Sequence, residues 1–160
     1  MTICNEIVEA IKSRLDEILS LRRSFVSKDD GSYVSKGDLL VQTIVLDLIR
    51  LRLPSYTLVS EELAPFDDQT WDIKGSYVVL DPIDGTENFV SGLKEWGVGI
   101  SIFGRGSHEE SCIFLPELDE CLMTGMAINK FTSRIIGLSS SLNKADLLLL
   151  PESDYEYRII

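Results

Sequence analysis

The chain has 160 residues, 44% of them hydrophobic, and a net charge of −11. That length builds one ordinary core, or one domain and part of another, and the acidic balance argues against nucleic acid or an anionic membrane as partner. No stretch is long and apolar enough to span a bilayer, and no basic segment followed by an apolar core marks a leader.

Ile3 to about Arg23 is predicted as an amphipathic helix, with Ile3, Ile7, Ile11, Leu15 and Ile18 on one stripe and Thr2 as its cap. Ser27 to Ser32 is a polar loop or hairpin turn. Asp38 is placed as the N-cap of a second helix, Leu39 to about Leu53, ended by Pro54 and apolar nearly all round, as for a helix buried between layers. Tyr56 to Val59 is a short apolar strand, and it delivers Glu61 and Glu62 at its end. A polar loop with Pro65, Asp67, Asp68 and Asp72 leads to a second strand, Gly75 to Leu80.

At the end of that second strand the polarity flips, in Asp81-Pro82-Ile83-Asp84-Gly85-Thr86-Glu87-Asn88-Phe89. Pro82 fixes the backbone between two carboxylates. Gly85 permits a tight turn, and Thr86 and Glu87 suit the first turn of a helix. Carboxylates suit a hard divalent cation such as Mg²⁺, and N–H groups at a helix start suit a phosphate. Taken alone, Asp-Pro-x-Asp-Gly is also a common surface turn, and Glu61-Glu62 a solvated one. If the two strands are neighbours, however, several carboxylates share one cleft. Like charges ~4 Å apart repel by ~4 kcal/mol at an effective dielectric near ~20, a penalty that a bound cation removes.

Farther along, Trp96 to Ile102 alternates apolar residues with small ones and is predicted as a strand. Gly104 to Ser107 is a turn. Cys112 to Leu115 and Glu120 to Met123 flank Pro116 to Asp119 as an antiparallel pair. Phe131 to Leu138 is a further strand, Leu142 to Leu150 a short helix, and Tyr155 to Ile160 another strand. Cys4, Cys112 and Cys121 are widely spaced and lack a CxxC pair, which suits reduced, inert thiols in a cytoplasmic protein. The one histidine, His108, has no nucleophile beside it, and no GxxxxGK[ST] loop is present.

Ser60-Glu61-Glu62 followed by Asp81 to Phe89, with Asp38 upstream, resembles the inositol monophosphatase family of Mg²⁺-dependent, lithium-sensitive phosphatases. The resemblance runs from the N-terminal helix to about Ser141. It implies an α+β fold, a layered α/β sandwich of the inositol monophosphatase and fructose-1,6-bisphosphatase type, truncated, with two N-terminal helices on a mostly antiparallel sheet. Residues 1–132 would form the metal-binding phosphatase domain and 133–160 the start of a second α/β domain. Glu61, Asp81 and the backbone carbonyl of Ile83 would hold one Mg²⁺, and Asp81 and Asp84 would contribute to a second. Two or three ions are implied, with Mn²⁺ as a substitute. Asp38 and Thr86 would orient the attacking water, and Asp84, Gly85 and Thr86 would receive the phosphate.

The implied reaction is hydrolysis of a phosphomonoester of a small polyol or sugar. A 3′(2′),5′-bisphosphate nucleotidase or a fructose-1,6-bisphosphatase-type enzyme is the neighbouring alternative. A truncated metal-binding or interaction homologue is the non-catalytic one. The expected partners are a small phosphorylated substrate and, since family members often pair, a second copy. The chain departs from the family pattern in three places. Ser60 stands where a Gly is usual, and Glu87 where a second Thr is usual. Trp71-Asp72 lies upstream of the main motif, so it does not supply the family's downstream Asp ligand. On this reading the chain is an N-terminal piece or a naturally shortened relative whose second metal site lacks one ligand.

Overall fold

A computed structural model of the chain describes residues 2–29, 31–63, 72, 74–127, 135–138 and 156–159. They divide between two compact units, Met1–Met126 and Ala127–Ile160.

The first unit opens with helix α1, Ile3–Ser13. The Thr2 side chain accepts from the Asn5 amide, and the α1 stripe buries Cys4, Ile7, Val8 and Ile11. The single helix predicted to Arg23 is in fact two. Arg14 leaves helical geometry at φ −118°, ψ 15°, and its N–H turns back to the carbonyls of Ile11 and Lys12. Helix α2, Leu15–Ser20, then restarts and buries Ile18. Apolar spacing continues across the break, which is why periodicity alone does not reveal it. Strands β1, Phe25–Ser27, and β2, Tyr33–Ser35, form an antiparallel hairpin around the polar turn. Phe25 and Tyr33 meet edge to face across it, with ring centroids 5.3 Å apart.

Helix α3, Lys36–Arg52, starts three residues earlier than predicted. Ser35, not Asp38, is its N-cap, and Asp38 occupies the third helical position of a capping box. The helix is not buried all round, either: Val41, Ile44, Val45 and Ile49 face the core, while Leu39 and Leu51 are exposed.

A five-stranded sheet in the order β3-β4-β5-β6-β7 carries the rest of this unit. Its strands are β3, Thr57–Ser60; β4, Tyr77–Asp84; β5, Gly97–Gly104; β6, Ser107–Leu115; and β7, Glu120–Met123. β3 runs parallel to β4, and the other pairs are antiparallel. The sheet is therefore mostly antiparallel and the fold α+β, as expected. Val78, Leu80, Val98, Ile100, Ile102, Cys112 and Phe114 join the α1 and α3 stripes in one core. β6 begins at Ser107, so His108 lies in a strand rather than a turn, with Nε2 2.7 Å from the Ser111 hydroxyl.

In the second unit, β8, Ile135–Leu138, pairs in parallel with β9, Glu156–Ile159. The rest of the predicted strand from Phe131, the predicted helix Leu142 to Leu150, and Asp67 and Asp68 lie outside the described residues.

Candidate metal and phosphate site

β4 does not stop where the apolar run stops. It continues through Asp81, Pro82 and Ile83 to Asp84, with a register shift against β5 between the two aspartates. Asp81 lies opposite Gly99, and Asp84 opposite Gly97. The proline costs the sheet little at an irregularity of this kind, where a ladder hydrogen bond is already lost. Gly85 follows at φ +79°, a left-handed conformation that glycine adopts without strain, and caps helix α4, Thr86–Ser91. The Asn88 amide donates to the Glu95 carbonyl at 2.6 Å and ties α4 to the entry of β5.

The start of α3 meets this turn. A Cβ on Gly37 would stand 2.8 Å from the Phe89 ring, so only glycine lets the α3 terminus approach α4 this closely. The approach brings Asp38 to Thr86. Asp38 is 1% exposed. One of its oxygens, Oδ2, accepts from the Ser35 amide at 2.8 Å and the Ser35 hydroxyl at 2.5 Å. The other, Oδ1, faces the Thr86 hydroxyl at 3.3 Å. That hydroxyl has a shorter contact, 2.9 Å, to the Ile83 carbonyl, and its single proton serves one acceptor at a time. Burial pushes the Asp38 carboxyl above the usual range, against the pull of its hydrogen bonds to Ser35 and Thr86.

Parallel pairing of Ser60 with Leu80 sets Glu61 beside the end of β4, where its amide donates to the Leu80 carbonyl at 3.3 Å. Asp81 is the focus of the charge. Its Oδ1 is buried and has no hydrogen-bond partner. Burial first, then the charges of Glu61, Asp84, Asp38 and Glu62, raise its pKa to about 7. Glu61 and Glu62 meanwhile share a cation: the Lys28 ammonium, carried by the β1–β2 hairpin, lies 3.4 Å from Glu61 and 2.8 Å from Glu62. Burial opposes the charge on Lys28, but the two glutamates outweigh it and hold its pKa up.

The structure thus joins Asp38, Thr86 and Ile83 in one hydrogen-bonded unit and sets Asp81 within the field of Glu61 and Asp84. It does not gather a finished cage. Among the described residues, no three His, Cys, Asp or Glu side chains stand ready to hold an ion. The donor set still fits a hard cation, because its carboxylate and carbonyl oxygens match one, the Asp81 oxygen is orphaned, and Lys28 already answers the charge of Glu61 and Glu62.

Two residues at the site escaped the sequence reading. Ser35 carries the cap, and the Ser-x-x-Asp spacing to Asp38 would have found it. Lys28 gave no signal, since a lysine in a polar turn is commonplace. The Ser60 hydroxyl is buried without a partner, and a strand-end serine does not advertise that.

A layered α+β fold with a carboxylate cluster at the ends of β3 and β4, backed by a glycine turn into a helix, defines the class. The chain belongs to the inositol monophosphatase family, whose family model matches residues 1–150. It is 30% identical over 112 residues to a Nus factor SuhB of Pasteurella multocida, covering 68% of this chain and 41% of that protein. The solved structure of a Thermotoga maritima IMPase aligns with a TM-score of 0.70 at 22% identity, over 89% of this chain and 61% of the other. An IMPase/NADP phosphatase solved with Mg²⁺ and phosphate aligns with a TM-score of 0.73 at 17% identity, over 98% of this chain and 64% of the other. These structural likenesses show the fold. The chain spans less than half the length of the curated relative it matches, and no helix among the described residues is long and apolar enough to cross a membrane.

Proposed function

We propose that the family's site in this chain serves Mg²⁺-dependent hydrolysis of a phosphomonoester on a small polyol or sugar. The observation that carries the reading is Asp81, a carboxylate held in a field of four others with one oxygen buried and unpartnered. Glu61, Asp81, Asp84 and the Ile83 carbonyl would hold the divalent ions. The carbonyl accepts from Thr86 with one lone pair and keeps the other for a cation. When bound, such ions make water a nucleophile near neutral pH and offset charge on phosphoryl oxygens.

This chain's own groups supply the positioning. The Thr86 hydroxyl, which gives its one proton to the Ile83 carbonyl or to Asp38 in turn, would aim a water at the phosphorus. Gly85 brings the backbone close enough for its amide and that of Thr86 to meet the phosphate, beside Asp84. The relative solved with Mg²⁺ and phosphate supports the ligand chemistry.

The test pairs calorimetric titration of Mg²⁺ and Mn²⁺ with phosphate release from inositol, fructose and nucleotide phosphates, with and without Li⁺. Asp81→Asn is expected to lose both binding and release. Full activity in that variant would sink the reading. A relative named Nus factor favours a second one, an interaction homologue without hydrolysis. Its signature is cation binding with no phosphate released from any substrate.

A further inference from the structure

The three cysteines lie far apart in sequence, and the fold brings them to one place. Cys112 and Phe114 alternate with Ile113 on β6, so both project from the helix-covered face of the sheet, where both are buried. Cys121 on β7 pairs directly with Phe114 and so shares that face. Cys4 comes down onto the same spot from the first turn of α1. It is drawn there by Glu110, two residues before Cys112, whose carboxylate accepts from the Ile3 amide at 3.0 Å and the Cys4 amide at 3.3 Å. Cys4 is 1% exposed and Cys112 2%, while Cys121 is partly exposed; all three are free thiols.

Each thiol acts on the other: Cys112 pushes the Cys4 pKa up, with burial and Glu110 adding to it, and Cys4 pulls the Cys112 pKa down against burial.

We propose that Cys4 and Cys112 form a redox pair which hydrogen peroxide closes into a disulfide, stapling α1 to β6. The Cys112 sulfur attacks one peroxide oxygen, the O–O bond breaks, and the first water leaves, giving a sulfenic acid. The Cys4 sulfur then attacks the Cys112 sulfur, the S–O bond breaks, and the leaving hydroxide takes the Cys4 proton as a second water. Two thiols lose two electrons, and one peroxide becomes two waters. Access comes through the first turn of α1. Helix ends open at low free-energy cost, and the amides of Ile3 and Cys4 are held by one side chain, Glu110.

The experiment treats the 160-residue chain with hydrogen peroxide, alkylates remaining thiols after unfolding, and maps peptides without reduction. A bridged Cys4–Cys112 peptide, lighter by about 2 Da than its two thiols and split by dithiothreitol, is expected. It should persist in Cys121→Ser, vanish in Cys4→Ser, and raise the thermal midpoint, because the bridge closes a loop on the order of a hundred residues. A Cys112–Cys121 bridge, a bridge only between molecules, sulfinic acids without a bridge, or three thiols that all stay alkylatable would each overturn the proposal. The wild-type peptide map decides it even if Cys4→Ser fails to fold.

Discussion

Asp81 places an acid where burial and four neighbouring carboxylates oppose its charge. Its folded pKa of about 7 lies above the ordinary value of 3.8. Without metal, the folded chain keeps a proton that the unfolded chain gives up. The stability that this group contributes is full below the unfolded pKa, and it is lost as pH rises toward the folded one. Urea unfolding of metal-free protein should therefore show a midpoint that falls between about pH 4 and pH 7, and Asp81→Asn should flatten that fall. An unchanged slope in the variant would assign the effect to other groups. At Asp38 the expected outcome differs. Asp38→Ala removes the acceptor of the Ser35 amide and hydroxyl inside the core, a loss of about 1–3 kcal/mol readable as a lower urea midpoint. The sequence reading paired Asp38 with Thr86, and the fold sets the Thr86 hydroxyl 3.3 Å from the Asp38 carboxylate. That reading misassigned the cap, because Asp is as common at an N-cap as Ser and only the reciprocal hydrogen bond tells them apart.

Elements meet at this site through contacts that no local pattern encodes. Phe89 has edge-to-face contact with Trp96 at 4.9 Å and lies under the Arg22 guanidinium at 5.0 Å, so its ring has little room to retreat. Gly37→Ala should then cost about 1–3 kcal/mol through overpacking, measured by thermal or urea unfolding. It should also weaken metal-dependent activity, because Asp38 moves with the α3 terminus. The β1–β2 hairpin contributes Lys28, whose ammonium pairs with Glu61 and Glu62 and, on the proposed reading, would compete with an incoming ion for Glu61. Lys28→Met is expected to tighten Mg²⁺ binding by calorimetry, by less than about tenfold, since partly exposed ion pairs contribute under about 1 kcal/mol. Weaker binding in that variant would show that the lysine supports the site instead. Strand existence was legible from alternation at Val98, Ile100 and Ile102. The extension of β4 through Pro82 was not, because proline in a sequence argues for the end of a strand and only the register shift accommodates it.

On the scale of the whole molecule, the acidic excess and the site belong together. If ions bind only the folded chain, Mg²⁺ at about a hundred times its Kd should stabilise it by about 2.7 kcal/mol. Sodium chloride at equal ionic strength should not reproduce the shift in thermal midpoint. The α+β class and the β6–β7 pair could be read from element order and turn chemistry, whereas strands β1 and β2 could not. The meeting of Cys4, Cys112 and Cys121 could not, since it depends on which helix covers which strand. The two key acids also differ in what they say about a relative's trade. Asp38 keeps a helix capped whether or not anything is hydrolysed, so a descendant that had abandoned phosphate chemistry would still retain it. Asp81 holds a buried oxygen without a partner, and its charged form is opposed by burial and by four neighbouring carboxylates. On the proposed reading, Asp81 rather than Asp38 marks the cation site, and its loss would be the first mark of retirement.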